Sequence, residues 1–217
     1  MGITERKERE KEQRRNDIID AAENVFFSKS LENATMDEIA AAAELSKGTL
    51  YLYFNNKEDL FYAICMRALR TLRHVLEKAI STGNTGLENL VELGRAYAYF
   101  SREYNDYFKV ITYFEAKQDI DPDMCTGNCQ DCDMHKENSC PMELLMHVVD
   151  QGQKDRSARK DIPAPVMAHL LWSQATGVLQ ALHLKTEHIQ GFGITKEELI
   201  ASHFEIIRYG IEPKQHA

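Results

Sequence analysis

The sequence predicts an all-α protein with a small N-terminal three-helix domain followed by a larger helical domain. Apolar residues recur at helical spacing through most of the chain. Two capping boxes, Thr35 with Glu38 and Thr195 with Glu198, mark the starts of helices. Polar turn clusters, such as residues 81–86, separate the apolar stretches. Together these features favour a chain of helices joined by short connections.

The composition is that of an ordinary globular protein, with 43% hydrophobic and 28% charged residues among 217. The formal net charge is −8, and residues 1–60 carry nine Lys and Arg against thirteen Asp and Glu. Any attraction to a polyanion must therefore be local. Because no apolar run is long enough to span a bilayer and no signal peptide opens the chain, we expect a cytoplasmic protein with five reduced cysteines.

The stretch from Thr35 to Leu60 carries the most specific pattern in the chain. Thr35 caps a predicted helix over residues 36–43, and Ser46 caps a second one that ends at Tyr53 or the next residue. A preceding amphipathic helix over residues 16–28 would cover both. Two short helices joined by a tight turn predict a helix-turn-helix, although an ordinary helical hairpin in a core has the same periodicity.

The exposed side of the second helix favours the helix-turn-helix. Lys, Thr and Tyr donate hydrogen bonds to phosphates and base edges, and glycine allows a close backbone approach. This stretch resembles the tetracycline-repressor (TetR) family of bacterial regulators. The run that carries the resemblance is Thr35, Ile39, Ala40, Ala43, Leu45, Ser46, Lys47, Gly48, Thr49, Leu50, Tyr51, Tyr53, Phe54, Lys57, Glu58 and Leu60. Ser30 and Glu44 stand where the family usually has glycine, at a modest conformational cost.

The resemblance implies a homodimeric transcriptional regulator, a repressor that a small molecule or a metal or redox signal releases from a palindromic operator. It divides the chain into a DNA-binding domain, residues 1–56, and an effector-binding and dimerisation domain, residues 57–217. It requires no cofactor for DNA binding. The predicted DNA contacts are Arg14, Arg15, Thr35, Lys47, Gly48, Thr49, Tyr51, Tyr53 and Lys57.

The charged segment 3–15 lacks an apolar period, so we expect it to be disordered or a frayed helical extension. Its basic residues could contact DNA, or its acidic residues could neutralise them in a solvated leader.

Two predicted helices after residue 86 are rich in aromatic residues. Rings with a few hydroxyl groups are typical of a small-molecule pocket, although a plain helix-helix core would have the same composition. The candidate effector residues are Tyr97, Phe100, Tyr104, Phe108 and Tyr113.

Residues 121–141 form a polar, cysteine-rich insert without a hydrophobic period. Cys125, Cys129, Cys132 and Cys140 could bind Zn²⁺ or an iron–sulfur cluster, or form redox-active disulfides. A surface loop with no specific chemistry is the third interpretation. The insert also defines the alternative function, a helical metal- or redox-binding protein. An enzyme is not indicated, because the chain has no paired carboxylates, activated nucleophile or phosphate-binding glycine loop.

The last two predicted helices carry more apolar surface than one neighbour can cover. The helix from Pro165 to Leu184 is apolar on two sides, and the final helix follows the Thr195 capping box. Such a pair is typical of a two-fold four-helix interface, and the resembled family dimerises there. We therefore expect a homodimer through these helices.

Overall fold

The computed structural model describes residues 2–116 and 140–213, and every regular element in these residues is a helix. This confirms the all-α class. The helices are α1 (Ile3–Asn33), α2 (Met36–Ala42), α3 (Lys47–Tyr51), α4 (Lys57–Ala79), α5 (Gly86–Glu103), α6 (Asn105–Ala116), α7 (Pro141–Lys154), α8 (Ala164–Leu184), α9 (Thr186–Gly191) and α10 (Lys196–Ile211). No helix among these residues is long and apolar enough to cross a membrane.

Short polar side chains begin several of these helices, as the sequence predicts. The Thr35 hydroxyl accepts from the Glu38 N–H at 3.3 Å, and the Glu38 carboxylate accepts from the Thr35 N–H at 3.1 Å. The same reciprocal box starts α10 at Thr195. Asn56 accepts from the Asp59 N–H at 2.7 Å at the start of α4. These bonds satisfy backbone donors that have no partner within the helix.

Helix α1 continues through the charged segment at residues 3–15, where we expected either disorder or a frayed helical extension, and the helical alternative is observed. Side chains four residues apart support it, including Arg6 with Glu10 at 2.7 Å and Gln13 with Asp17 at 2.8 Å. Such pairs stabilise a helix that has no buried face. An apolar period is therefore not the only signal for a helix at this position.

Ser30 and Glu44, which stand where the resembled family usually has glycine, both have a positive φ. Ser30 has φ 69° and ψ 163°, which kinks the end of α1, and Glu44 has φ 55° in the turn after α2. Non-glycine residues rarely adopt these conformations, and each costs on the order of 1–3 kcal/mol. Both positions lie beside the helix-turn-helix, so the packing of the domain has to offset the backbone strain of these two residues.

The described chain divides into two compact units, residues 1–68 and 69–217, and the division falls inside α4. In the first unit, Ile18 of α1, Ile39 of α2, Leu50 of α3 and Leu60 of α4 are fully buried. Each helix of the unit therefore contributes an apolar side chain to the core.

The second unit is built around α5, which packs against α6, α7, α8 and α10. Helices α5 and α7 approach each other closely at Gly86 and Gly152. A Cβ added at Gly86 would lie 2.1 Å from the Gly152 nitrogen, so only glycine fits there. The Gly86 N–H also donates to the Asp155 carboxylate at 2.7 Å, which ties the start of α5 to the end of α7.

Candidate nucleic-acid interface and effector cavity

Helices α2 and α3 form a helix-turn-helix whose turn is closed by backbone hydrogen bonds. The Leu45 N–H donates to the Ala40 carbonyl at 2.9 Å, and the left-handed Glu44 reverses the chain. Leu50 and Phe54 are buried and Leu45 is half-buried, so one side of α3 faces the domain core. The other side of α3 is left for recognition.

The exposed side of α3 presents Gly48, Tyr51 and Leu52. Tyr51 is 43% exposed, and a Cβ added at Gly48 would meet only the Ser46 hydroxyl, at 3.9 Å. Sequence reasoning missed Leu52, which is 80% exposed directly after α3. An apolar side chain at such a position can contact a thymine methyl group. Its only sequence signal is that an apolar residue interrupts the otherwise polar face.

Two of the predicted contact residues are paired within the domain. The Lys47 ammonium lies 2.7 Å from the Asp37 carboxylate, and both side chains are mostly exposed. The hydrogen bond from Lys47 to Asp37, together with the charge of Asp37, raises the pKa of Lys47. The Thr49 hydroxyl lies 2.8 Å from that of Ser46. To contact DNA, the Lys47 ammonium would have to leave Asp37 and the Thr49 hydroxyl would have to leave Ser46.

The Lys57 ammonium is held by the backbone at the end of α1. It donates to the carbonyls of Leu31, Glu32 and Ala34 at 2.9, 3.1 and 3.3 Å. These acceptors lie just after the kink at Ser30, where the helix leaves carbonyl groups without helical partners. Lys57 therefore has a structural role in the domain that sequence reasoning did not identify.

The remaining predicted contacts differ in how freely they face solvent. Thr35 and Arg14 are exposed, whereas Tyr53 is half-buried. The Arg15 guanidinium is half-buried and lies 4.9 Å from the centre of the Phe54 ring, a cation–π arrangement. Arg15 thus packs on the helix-turn-helix, while Arg14 keeps its charge in solvent.

The second unit contains an apolar cavity of about 60 Å³. Its described walls come from α4, α5, α7, α8 and α10. The walls include Leu76, Leu90, Gly94, Tyr97, Leu145, Leu171, Trp172, Ala175, Phe204 and Ile207. This apolar cavity is one candidate space for a small molecule in the second unit.

One of the five predicted effector residues, Tyr97, lines this cavity. Its ring stacks on Trp172 with centroids 5.0 Å apart, and its hydroxyl lies 3.0 Å from that of Thr176. Burial raises the pKa of Tyr97, so its hydroxyl stays protonated. Phe100 and Phe108 are buried in the helical core instead.

The last two of the five predicted residues lie nearer the surface: Tyr104 is exposed and Tyr113 half-buried. The sequence prediction missed Trp172, which stands on the helix with two apolar sides.

The cysteine-rich prediction falls largely outside the described residues, which exclude Cys125, Cys129 and Cys132. Cys140 is buried at the start of α7, and its carbonyl accepts from Arg73 at 2.7 Å. Within residues 2–116 and 140–213, no three His, Cys, Asp or Glu side chains are grouped to hold a metal ion. A zinc or iron–sulfur site at the insert stays a prediction.

A family model for "Bacterial regulatory proteins, tetR family" matches residues 18–64, which contain the helix-turn-helix. The regulator SrpR of Pseudomonas putida is 38% identical over 68 residues, which cover 31% of this chain and 30% of SrpR. The transcriptional activator FasR of Mycolicibacterium smegmatis is 32% identical over 80 residues, covering 37% of this chain and 36% of FasR. The chain thus matches about a third of the length of each relative.

A solved structure extends the likeness to the whole fold. A bacterial regulatory protein of the tetR family from Rhodococcus RHA1 superposes with a TM-score of 0.67, at 17% identity, over 93% of this chain and 98% of that one. At this identity the likeness concerns the fold alone. The two relatives are transcriptional regulators, not enzymes, and neither they nor the described residues support the alternative of a metal- or redox-binding protein. The helix-turn-helix therefore places residues 18–64 in the TetR family of bacterial regulatory proteins, and the described fold is like that of a solved tetR-family protein.

Proposed function

We propose that this protein is a cytoplasmic, homodimeric repressor that binds a palindromic DNA operator through α3 and releases it when a signal molecule binds the second unit. The observation that carries the proposal is the two-sided character of α3. Leu50 is completely buried, whereas Gly48, Tyr51 and Leu52 face solvent together. A helix with one side buried in the domain core and the other side exposed is suited to insertion into a major groove.

The proposed DNA contacts divide into two groups by their state in the free protein. Gly48 and Tyr51 can meet DNA as they stand, Tyr51 through its hydroxyl, whereas Thr35, at a helix N-terminus, is exposed but already bonded to Glu38. Lys47 and Thr49 first have to leave Asp37 and Ser46. Arg14 would add a phosphate contact from α1. The side chains of Arg15 and Tyr53 are half-buried and that of Lys57 is bonded to the backbone, so these three have less freedom to contact DNA.

A second copy of the chain is proposed to cover the last helices. On α8, Val166 is 50% and Leu170 48% exposed, and on α10, Ile206 is 72% exposed. Gly177 lies on the same exposed side of α8, and a Cβ there would meet nothing within 4 Å in the described chain. Apolar side chains around a small residue suit two helices that pack closely across a two-fold axis.

The proposed response to the effector uses the continuity of α4. Leu76 in this helix lines the cavity, and Lys57 at its start holds the end of α1. A ligand that shifts α4 would therefore move the helix whose first residue, Lys57, is bonded to the end of α1. A change of a few kcal/mol between two conformations is enough to empty an operator.

The DNA-binding role is tested by placing a negative charge on the open side of α3. In Gly48→Glu the new side chain points into open space, and an acidic residue in the first turn of a helix is favourable, so the fold is retained. We expect at least a hundredfold loss of affinity for operator DNA selected from genomic fragments, measured by fluorescence anisotropy.

The matched control is Gly83→Glu. Gly83 lies in the turn before α5, and a Cβ there would also meet only a serine hydroxyl at 3.9 Å. It adds the same charge to the second unit. Equal affinity in the two variants would reject the proposed role of α3.

The dimer is tested by Ile206→Glu, which places a charge on the exposed face of α10. Sedimentation velocity should show a dimer for the unaltered protein and a monomer for the variant. A monomer in both cases would reject the interface.

Because FasR is an activator, transcription in vitro from the selected promoter, with and without the protein, decides whether this chain represses.

A further inference from the structure

Among the described residues, the walls of the cavity in the second unit offer neither a charged side chain nor a hydrogen-bonding side chain without a partner. All of its described lining residues are uncharged. Its two polar side chains are already occupied, since the Tyr97 hydroxyl pairs with Thr176 and the Trp172 N–H donates to Glu115 at 2.9 Å. A ligand inside this space therefore meets mainly apolar side chains and aromatic rings among the described wall residues.

This wall chemistry discriminates strongly between ligand classes. A charged group that enters loses its hydration, and for a cation the attraction to the aromatic rings offsets only part of that cost. The titratable group bonded to the wall is Glu115; burial raises the pKa of Glu115, and where its carboxyl group is ionised it disfavours an anion further. An uncharged hydrophobic ligand avoids both costs.

The size of the cavity indicates how such a ligand enters. An apolar cavity of about 150 Å³ accommodates benzene, so the 60 Å³ present has to widen. Phe204 of α10 is placed to move, because its ring fills the space that a side chain at residue 94 would take. A Cβ added at Gly94 would lie 2.5 Å from the Phe204 ring. The ring is the end of a flexible side chain, so it can rotate away without moving the backbone of α5.

We propose that the cavity binds an uncharged hydrophobic molecule, which enters by displacing the Phe204 ring from Gly94 and packs against Trp172. The inference names the effector class for the proposed regulator and rests on that proposed function for its biological role. Its binding chemistry can be measured on the purified protein without DNA.

Two probes with one skeleton provide the test. N-phenyl-1-naphthylamine is neutral, and 1-anilinonaphthalene-8-sulfonate adds one sulfonate to the same rings. Trp172 is the single tryptophan of the chain and lines the cavity, so its emission reports binding directly. We expect the neutral probe to quench Trp172 and to bind at least tenfold more tightly than the sulfonate. If the neutral probe fails to bind, or if the two affinities lie within threefold, the proposal is wrong.

Competitors with one chain length extend the test to cations. Dodecan-1-ol should displace the neutral probe at a concentration at least tenfold lower than dodecanoate or dodecyltrimethylammonium. If either charged competitor equals the alcohol, the charge of the ligand does not decide binding and the proposal fails.

The role of Phe204 is tested by Phe204→Ala, with Phe192→Ala as the matched control. Phe192 is 71% exposed in the same unit and does not line the cavity. We expect Phe204→Ala to bind the neutral probe at least fivefold more tightly, because the ring no longer has to be displaced, and Phe192→Ala to bind as the unaltered protein does. Equal affinity in both variants would remove Phe204 from the entry route.

Failure of the proposed function gives a different result from failure of this inference. If the neutral probe binds as expected but leaves the affinity for operator DNA unchanged, the cavity chemistry stands and the link from effector to DNA fails.

Discussion

The ion pair between Lys47 and Asp37 leads to a specific prediction for DNA binding. With the carboxylate 2.7 Å from the ammonium and both groups largely exposed, DNA has to compete with Asp37 for Lys47. An exposed ion pair is worth a factor of about 1.4 to 5 in an equilibrium constant. Asp37→Asn removes this competitor in both subunits of the proposed dimer, so the affinity for operator DNA should rise about 2- to 25-fold. Anisotropy titrations at several salt concentrations measure the change.

The salt dependence and a matched variant separate this mechanism from a general charge effect. The gain should shrink as salt rises, because the Debye length falls from about 10 Å at 0.1 M to about 3 Å at 1 M. Asp17→Asn makes the same substitution at an exposed position of α1, where the carboxylate accepts from the uncharged Gln13 amide, and should change the affinity less than Asp37→Asn does. If the two variants behave alike, or if Asp37→Asn leaves the affinity unchanged, Lys47 does not contact DNA.

Three further variants test the first unit and α3. Lys57→Met should lower the free energy of unfolding by about 1.5–3 kcal/mol in urea titrations, because three carbonyls lose a charged donor; an unchanged unfolding free energy with weaker DNA binding would assign the ammonium to DNA instead. Ser30→Gly should raise the unfolding free energy by about 1 kcal/mol, because glycine adopts a positive φ without strain. The control Ser28→Gly, inside the helix, should lower the unfolding free energy. If both variants lower the unfolding free energy, Ser30 is not strained. Tyr51→Phe should weaken operator binding about 2- to 10-fold per subunit at unchanged stability, while Tyr99→Phe, on an exposed ring of the second unit, should not; equal effects would exclude a contact by the Tyr51 hydroxyl.

The helices and their starts could be predicted because their signals are local. Thr35 and Glu38 lie three residues apart, so the capping box can be recognised without any knowledge of the fold. Ser30 and Glu44 could be marked as unusual in the same way, because the resembled family has glycine there, but their positive φ values come from the structure.

The partners of the candidate site could not be predicted, because they depend on residues that meet only after folding. Lys57 reaches carbonyls more than twenty residues earlier in the chain, and Tyr97 stacks on a tryptophan 75 residues later. A lysine beside a DNA-binding motif suggests a phosphate contact when tertiary acceptors are unknown. In the same way, the composition of α5 and α6 indicates a pocket but does not show which ring faces it.

The helical state of residues 3–15 changes what their charges can do. In a flexible chain, neighbouring acids and bases would average to almost nothing, but a helix turns each residue by about 100°. Lys7, Lys11 and Arg14 then share one side of the rod, and Glu5, Glu8 and Glu12 share another. Arg9 lies among these glutamates and offsets part of their charge. The N-terminal part of α1 is therefore more attractive to a phosphate backbone from one direction than from the other.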